Sequence, residues 1–204
     1  MQLIGMLDSP YVRRVAISLA VLGLPFEHRS VSVFSQYDEF AKINPVVKAP
    51  TFIADDGTVL IDSSLILDHL DHQVAPASRL LPEESGARLQ ALNMIGFALA
   101  ATEKAMQAVY ERNLRPQQWQ YEPWVERVQK QMHAAYGHLE TRLAGHDGWL
   151  FGERLMQADI TVAVAWRFTQ FMLPGAVDAD RYPALAAFSE RAEALPAFIG
   201  APLE

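Results

Sequence analysis

Residues 44–66 read Asn-Pro-Val-Val-Lys-Ala-Pro-Thr-Phe-Ile-Ala-Asp-Asp-Gly-Thr-Val-Leu-Ile-Asp-Ser-Ser-Leu-Ile, and three local signals within them decide the fold. Pro50 opens a strand, because a residue without an N–H is tolerated at the first strand position, where a cis bond also turns the chain sharply. Asp56-Gly57 between Thr51-Phe52-Ile53 and Val59-Leu60-Ile61 predicts a hairpin. Asp62-Ser63 marks a helix start, with Ser63 as the expected cap of a helix beginning near Leu65 and N–H groups left over for an anion. Together these signals describe a small-molecule site carried on a two-stranded ribbon.

Working upstream, Gln2 to Leu7 reads as a buried strand. Pro10 suits the first turn of a helix whose apolar positions, Val12, Val15, Ala16, Leu19, Ala20 and Leu22, have helical spacing. Gly23 ends that helix, Phe26 to Val33 reads as a second strand, and Ser35 to Ile43 as a short helix that stops before Pro45. With the hairpin and a helix from about Ser63 to Gln73, the order is βαβαββα, that of a thioredoxin-like α/β sheet with an antiparallel ribbon at its end. This domain is assigned to residues 1–75 and a Pro-, Ala- and Ser-rich linker to 76–85. Residues 86–204 read as an all-α domain: long helices over about 84–112 and 124–143, then shorter ones over 157–172 and 184–195. The first of these has Leu89, Leu92, Ile95, Leu99, Met106 and Val109 roughly on one side.

With Ser9 following the first strand, the 44–66 segment resembles the cytosolic glutathione transferase family, in its bacterial serine-type form. The family's wording is close to Asn-Pro-x-Gly-x-Val-Pro and then Glu/Asp-Ser-x-x-Ile. Asn44, Pro45, Pro50, Asp62, Ser63 and Ile66 match it. Val47 departs from it, where glycine is usual, as does Ala49, where valine is usual. Val47 bears on the shape of the loop and through it on glutathione affinity; Ala49 would act through its backbone.

The resemblance implies a cis bond before Pro50, with the backbone of Ala49 receiving the cysteinyl part of glutathione. It implies that Asp62 addresses the γ-glutamyl ammonium and Ser63 the carboxylate, and that Lys48 reaches the glycyl carboxylate. It also implies a twofold homodimer built on the helices at about 63–72 and 84–112. Phe151 to Ile160 resembles the second-domain signature, with Asp159 as a structural partner for backbone N–H groups. Met156 stands where a capping Ser or Thr is usual, so another group is expected to compensate. The second substrate is expected between the domains, against Tyr11, Phe97, Ala101, Tyr110, Trp166 and Arg167, with Trp119, Tyr121 and Trp124 as a cover.

Ser9 carries the proposed chemistry. A thiol of pKa about 8.5 is only about 3% ionised at pH 7, and lowering it by about two units ionises roughly three quarters. That needs about 2.7 kcal/mol of selective stabilisation. One hydrogen bond to a charged group supplies about 1.5–3 kcal/mol and a helix terminus about 0.3–1. Ser9 just before Pro10 can supply both, although the same residue is also a natural helix cap.

The reading is therefore a transferase joining the glutathione thiol to a small electrophile, with glutathione as co-substrate. The alternatives are a glutathione-dependent isomerase, a non-catalytic interaction protein on the same fold, and a ligandin-like binder of apolar compounds.

Composition narrows the rest. The chain has 204 residues, half of them hydrophobic, and a formal net charge of −7, which argues against nucleic acid as a partner. It contains no cysteine. It therefore has no thiol of its own for a mixed disulfide with glutathione, and a cytoplasmic location fits. Arg13-Arg14 ahead of Val15 to Leu24 imitates a targeting signal, but no small-x-small cleavage site follows and a strand-like run precedes it. The apolar run is too short to span a membrane. His69 and His72 have metal-compatible spacing without a completing ligand set, so no metal is expected.

Overall fold

Every predicted element of the first half forms, several of them shorter than their sequence patterns. The computed structural model describes residues 1–203. The chain divides into two units, one running to Leu81 and including the segment from Ala194 on, the other Pro82–Glu193. In the first unit, strand β1 (Gln2–Ile4) leads through helix α1 (Pro10–Leu22) to β2 (Glu27–Arg29). Helix α2 (Tyr37–Ile43) then leads to β3 (Thr51–Ile53), β4 (Val59–Ile61) and helix α3 (Ser63–Asp71).

The sheet order is β2-β1-β3-β4. β1 runs parallel to β2, with Leu3 opposite His28, and antiparallel to β3, with Leu3 opposite Phe52. β3 and β4 form the predicted hairpin, Phe52 opposite Leu60. β1 stops short of its predicted end because Gly5, at φ +133°, leaves the extended conformation. β2 sits at the sheet edge and can pair only as far as β1 reaches.

Successive residues of β1 point to opposite faces. Leu3 and Phe52, with Val12, Val15 and Leu19 of α1 and Ile66 and Leu70 of α3, have no exposed surface. Ile4 packs with Val31 and Phe40, and Val47 and Ala49 lie against that cluster. The loop that carries the expected site is therefore seated on core.

The second unit is all helical: α4 (Ser85–Asn113), α5 (Glu122–Leu143), α6 (Gln157–Met172) and α7 (Pro183–Glu193). α4 packs against both α5 and α6. Its buried face corrects the sequence reading: Leu89 and Leu92 are exposed, and Ala91, Ala98, Ala101, Ala105 and Ala108 are buried with Met94, Ile95 and Val109. A helix packed against two neighbours favours small residues where backbones approach closely, so alanine displaces leucine from that face. A helix not read from the sequence, α8 (Pro196–Ile199), groups with the first unit and packs on α1. Arg13 fastens it, with Nε donating to Ala201 O at 2.7 Å and the guanidinium 5.6 Å from the Phe198 ring centre. Among the described residues no helix is long and apolar enough to cross a membrane.

Candidate functional site

Ser9 is the N-cap of α1. Its Oγ accepts from Val12 N–H at 3.4 Å while Pro10 occupies the first turn. A hydroxyl has one donor and two acceptor positions, so accepting that bond leaves its proton free to donate to a bound anion.

The Ala49–Pro50 bond is cis. The loop before it is tied from within. Asn44, almost fully buried, donates from Nδ2 to Thr51 Oγ1 at 2.9 Å and accepts from Val46 N–H at 3.0 Å. Thr51 Oγ1 in turn donates to Lys48 O at 2.8 Å. Val47, the position where the family uses glycine, has φ +51°, so a β-branched residue occupies the left-handed region here. Among the described residues none hydrogen-bonds to the N–H or C=O of Ala49. An added extended segment can pair with both.

Gly5 brings these two parts together. A Cβ placed on it would lie 2.7 Å from Val12 Cγ2 and 3.0 Å from Ala49 Cβ. The first turn of α1 and the residue before the cis-proline therefore flank a position that only glycine can fill. His28 Nε2, on the adjacent strand β2, lies 2.8 Å from the Gly5 carbonyl oxygen.

The third part is the start of α3. The expected cap is corrected: Asp62 caps the helix, accepting from Ser64 N–H at 2.9 Å, and Ser63 is the first helical residue. An aspartate precedes the helix at φ +73°, and its carboxylate reaches the free N–H before the serine hydroxyl does. That releases the Ser63 hydroxyl for another partner. Lys48 Nζ stands 3.6 Å from Asp62 Oδ2, both side chains half-exposed. The lysine expected at the glycyl end of the ligand thus faces the aspartate expected at the other.

Sequence reasoning missed two contributors, Gly5 and Arg14. Arg14 lies on α1 with 2% of its surface exposed, and its Nη1 donates to Ser63 Oγ at 3.1 Å and Ser64 Oγ at 3.3 Å. It stands away from the Val12, Val15 and Ala16 stripe, on the side of α1 that carries Ile17 and Ser18, which are buried as well, so the apolar pattern read from the sequence did not mark it. Burial lowers its pKa to about 10, with the Asp62 carboxylate and Tyr11 acting in the opposite direction.

The residues expected to line a second-substrate pocket are scattered in their surroundings. Tyr11 is partly exposed on α1, and Arg167 is exposed on α6. Phe97 stacks on His138, with ring centres 3.7 Å apart. Trp166 is corrected from lining residue to packing residue, since it is buried and meets Tyr136 and Tyr182 edge-on. Ala101 is buried as well, in the alanine face of α4. Tyr110 lines a recess of about 470 Å³ together with Leu114, Arg115, Trp119 and Trp124. Tyr121 is exposed, and its N–H donates to Glu111 Oε1 at 2.9 Å. That bond holds the Glu111 carboxyl below its ordinary pKa, with Arg115 adding to the effect.

Asp159 partners backbone N–H groups around the start of α6, the structural task expected of it. Its Oδ2 accepts from Met156 N–H at 2.7 Å and its Oδ1 from Leu150 N–H at 2.8 Å. Among the described residues no group of three or more His, Cys, Asp or Glu is arranged to hold a metal ion.

The chain matches two domain families, "Glutathione S-transferase, N-terminal domain" over residues 3–78 and "Glutathione S-transferase, C-terminal domain" over residues 122–191. It is 27% identical over 172 residues to the GST-like protein YibF of Escherichia coli K12, spanning 84% of this chain and 83% of that one. It is 29% identical over 217 residues to a probable maleylacetoacetate isomerase of Vibrio cholerae, spanning 96% and 92%. A glutathione S-transferase of Methylobacterium radiotolerans, crystallised with glutathione sulfonate, superposes with a TM-score of 0.89 at 28% identity, covering 98% of this chain and 93% of that one. A second, from Methylobacillus flagellatus with glutathione bound, gives 0.89 at 25% identity and covers 98% of each chain. Two matched domains in the family's order, on a thioredoxin-like sheet followed by a helical bundle, make this chain a member of the glutathione transferase family.

Proposed function

We propose that this protein binds glutathione and joins its sulfur to a small electrophile, with Ser9 stabilising the thiolate. The observation that carries the reading is the closeness of the Ser9-capped helix start to the unpaired backbone of Ala49, on two sides of Gly5. A cysteinyl segment paired with Ala49 would set its sulfur near the α1 N-terminus. The Ser9 proton and the helix dipole both favour a negative charge there. Asp62 would take the ammonium of the γ-glutamyl end, Ser63 its carboxylate, and Lys48 the glycyl carboxylate. The work is electrostatic stabilisation and positioning, without a bond between enzyme and substrate.

The relatives of Vibrio cholerae and Pseudomonas aeruginosa named as maleylacetoacetate isomerases, matched over 96% and 91% of this chain, favour a second reading. In it the thiolate adds to a cis double bond, the resulting single bond rotates, and the thiolate leaves again, so glutathione is recovered. Exposed Leu65 on α3 and exposed Leu89 and Leu92 on α4 support the homodimer, because large apolar side chains left in water on one chain suit a partner's surface.

Retention on immobilised glutathione and calorimetry at millimolar glutathione test binding. Turnover of an aryl halide with loss of free thiol would support the transferase, and turnover of maleylacetoacetate with thiol undiminished the isomerase. A protein that does not bind glutathione in either assay would belong to the interaction class.

A further inference from the structure

Arg13 and Arg14 are neighbours on one helix, both buried, and they do different things. Arg13 is a fastening: its Nε is satisfied by a backbone carbonyl and its plane lies over a phenyl ring. Arg14 has neither. Its Nη1 donates to two neutral hydroxyls, Ser63 and Ser64, and its buried Nε meets no acceptor. Its nearest opposing charge is Asp62, which acts on it through space, while the Asp62 Oδ1 is engaged by Ser64 N–H. A charge taken out of water without a bonded counter-ion is unfavourable to the fold, so its presence here calls for a use.

The position of that charge points to its use. It lies beneath the first turn of α3, where the N–H groups and the dipole already favour an anion. A hydroxyl that accepts from a guanidinium is polarised, and its own proton becomes a stronger donor. Because Asp62 has taken over the capping role, the Ser63 hydroxyl is available for that chain of bonds.

We infer that Arg14 is a positioning residue for the γ-glutamyl α-carboxylate of glutathione, acting through the Ser63 hydroxyl it holds. The ligand's carboxylate supplies, through the Ser63 hydroxyl, a counter-charge in addition to that of Asp62, which acts on Arg14 through space. The inference rests on the glutathione reading above. It also joins the two halves of the site, since Ser9 and Arg14 lie on the same helix five residues apart, so the group that meets the sulfur and the group that supports the carboxylate move as one body.

The test compares two ligands, glutathione and its analogue with 4-aminobutyrate in place of γ-glutamate, which lacks only the α-carboxylate. Calorimetry on the native protein, Arg14→Met and Arg14→Lys measures the ratio of their affinities, with thermal melting as the check on folding. In the native protein glutathione binds more tightly than the analogue. Arg14→Met is expected to weaken glutathione by about tenfold or more, as loss of a charge-supported hydrogen bond does, and to leave the analogue within about twofold. Ser63→Ala should collapse the same ratio, and the double variant should do no worse than either single one. Should Arg14→Met not fold, Arg14→Lys reads the same ratio, keeping the charge without the fork and retaining part of the discrimination.

An Arg14 variant that loses both ligands equally, or neither, overturns the inference and leaves the glutathione reading standing. A native protein that binds neither ligand overturns both.

Discussion

Gly5 and Ala49 approach so closely that a Cβ on the glycine would sit 3.0 Å from the Cβ of the alanine, with Val12 Cγ2 at 2.7 Å on its other side. Gly5→Ala therefore meets two penalties. Overpacking costs about 1–3 kcal/mol, and an L-residue at φ +133° adds about 1–3 more. Val12 and the Ala49 loop must separate, so glutathione affinity should fall together with stability. Gly57→Ala is the control: it also has positive φ, at +86°, but nothing lies within 4 Å of its added Cβ. It should lose about 1 kcal/mol in urea unfolding and no affinity. Equal effects at the two positions would mean that the contact across Gly5 does not organise the site.

Ser9 has two roles that separate under substitution. Ser9→Ala removes both the cap and the donor to sulfur; Ser9→Gly removes the donor and most of the side chain, yet glycine is a tolerable cap. Stability should fall by about 1 kcal/mol for alanine and by a few tenths for glycine. Turnover with an aryl halide should fall by about 10–100-fold in both, and the pH at which the bound thiol ionises should rise toward about 8.5. Activity that tracks stability across the pair would reduce Ser9 to a cap.

The parts of this molecule that were legible in its sequence are those set by local chemistry. The hairpin falls on Thr51–Ile53 and Val59–Ile61 as read, because β-branched and apolar residues flank an Asp-Gly turn. α6 spans Gln157–Met172 as read, its start marked by Asp159. What was not legible depends on which surfaces meet. Arg14 looked like half of a basic pair until α3 was laid on α1. Leu89 and Leu92 outrank alanine in hydrophobicity, yet the close packing of α4 selects its alanines. Trp166 looked fit to line a pocket, but Tyr136 and Tyr182 enclose it. The segment after Ala194 carries no local mark that it joins the first unit; only the acceptor for Arg13 reveals it.

Val47 stands at φ +51° with its side chain against the Ile4, Val31 and Phe40 cluster. Substitution by glycine or by alanine removes the same packing, but only glycine accepts the left-handed backbone without strain. Val47→Gly should therefore be more stable than Val47→Ala by about 1 kcal/mol in denaturant unfolding, the reverse of their usual order. If the family's glycine serves glutathione binding through loop shape, Val47→Gly should also bind it at least as tightly as the native chain. Alanine more stable than glycine would mean that the loop does not hold a left-handed residue at this position.

Asp159 is the buried acid whose titration should be visible in the stability of the second unit. Burial raises its pKa to about 6, against the opposing pull of the Leu150 and Met156 N–H groups and the charge of Arg191. In the unfolded chain the same carboxyl has a pKa of about 3.9, so the folded state holds its proton more tightly. The stability this group contributes is thus complete below about pH 4 and is lost as pH rises through about 6. Asp159→Asn has no charge at any pH and lacks this dependence. Unfolding midpoints of the two proteins at pH 4.5 and 7 isolate the effect, with the native chain gaining on the variant as the solution is acidified. A native chain that instead loses ground on acidification would mean that the two backbone donors outweigh burial and that the carboxylate is held in its charged form.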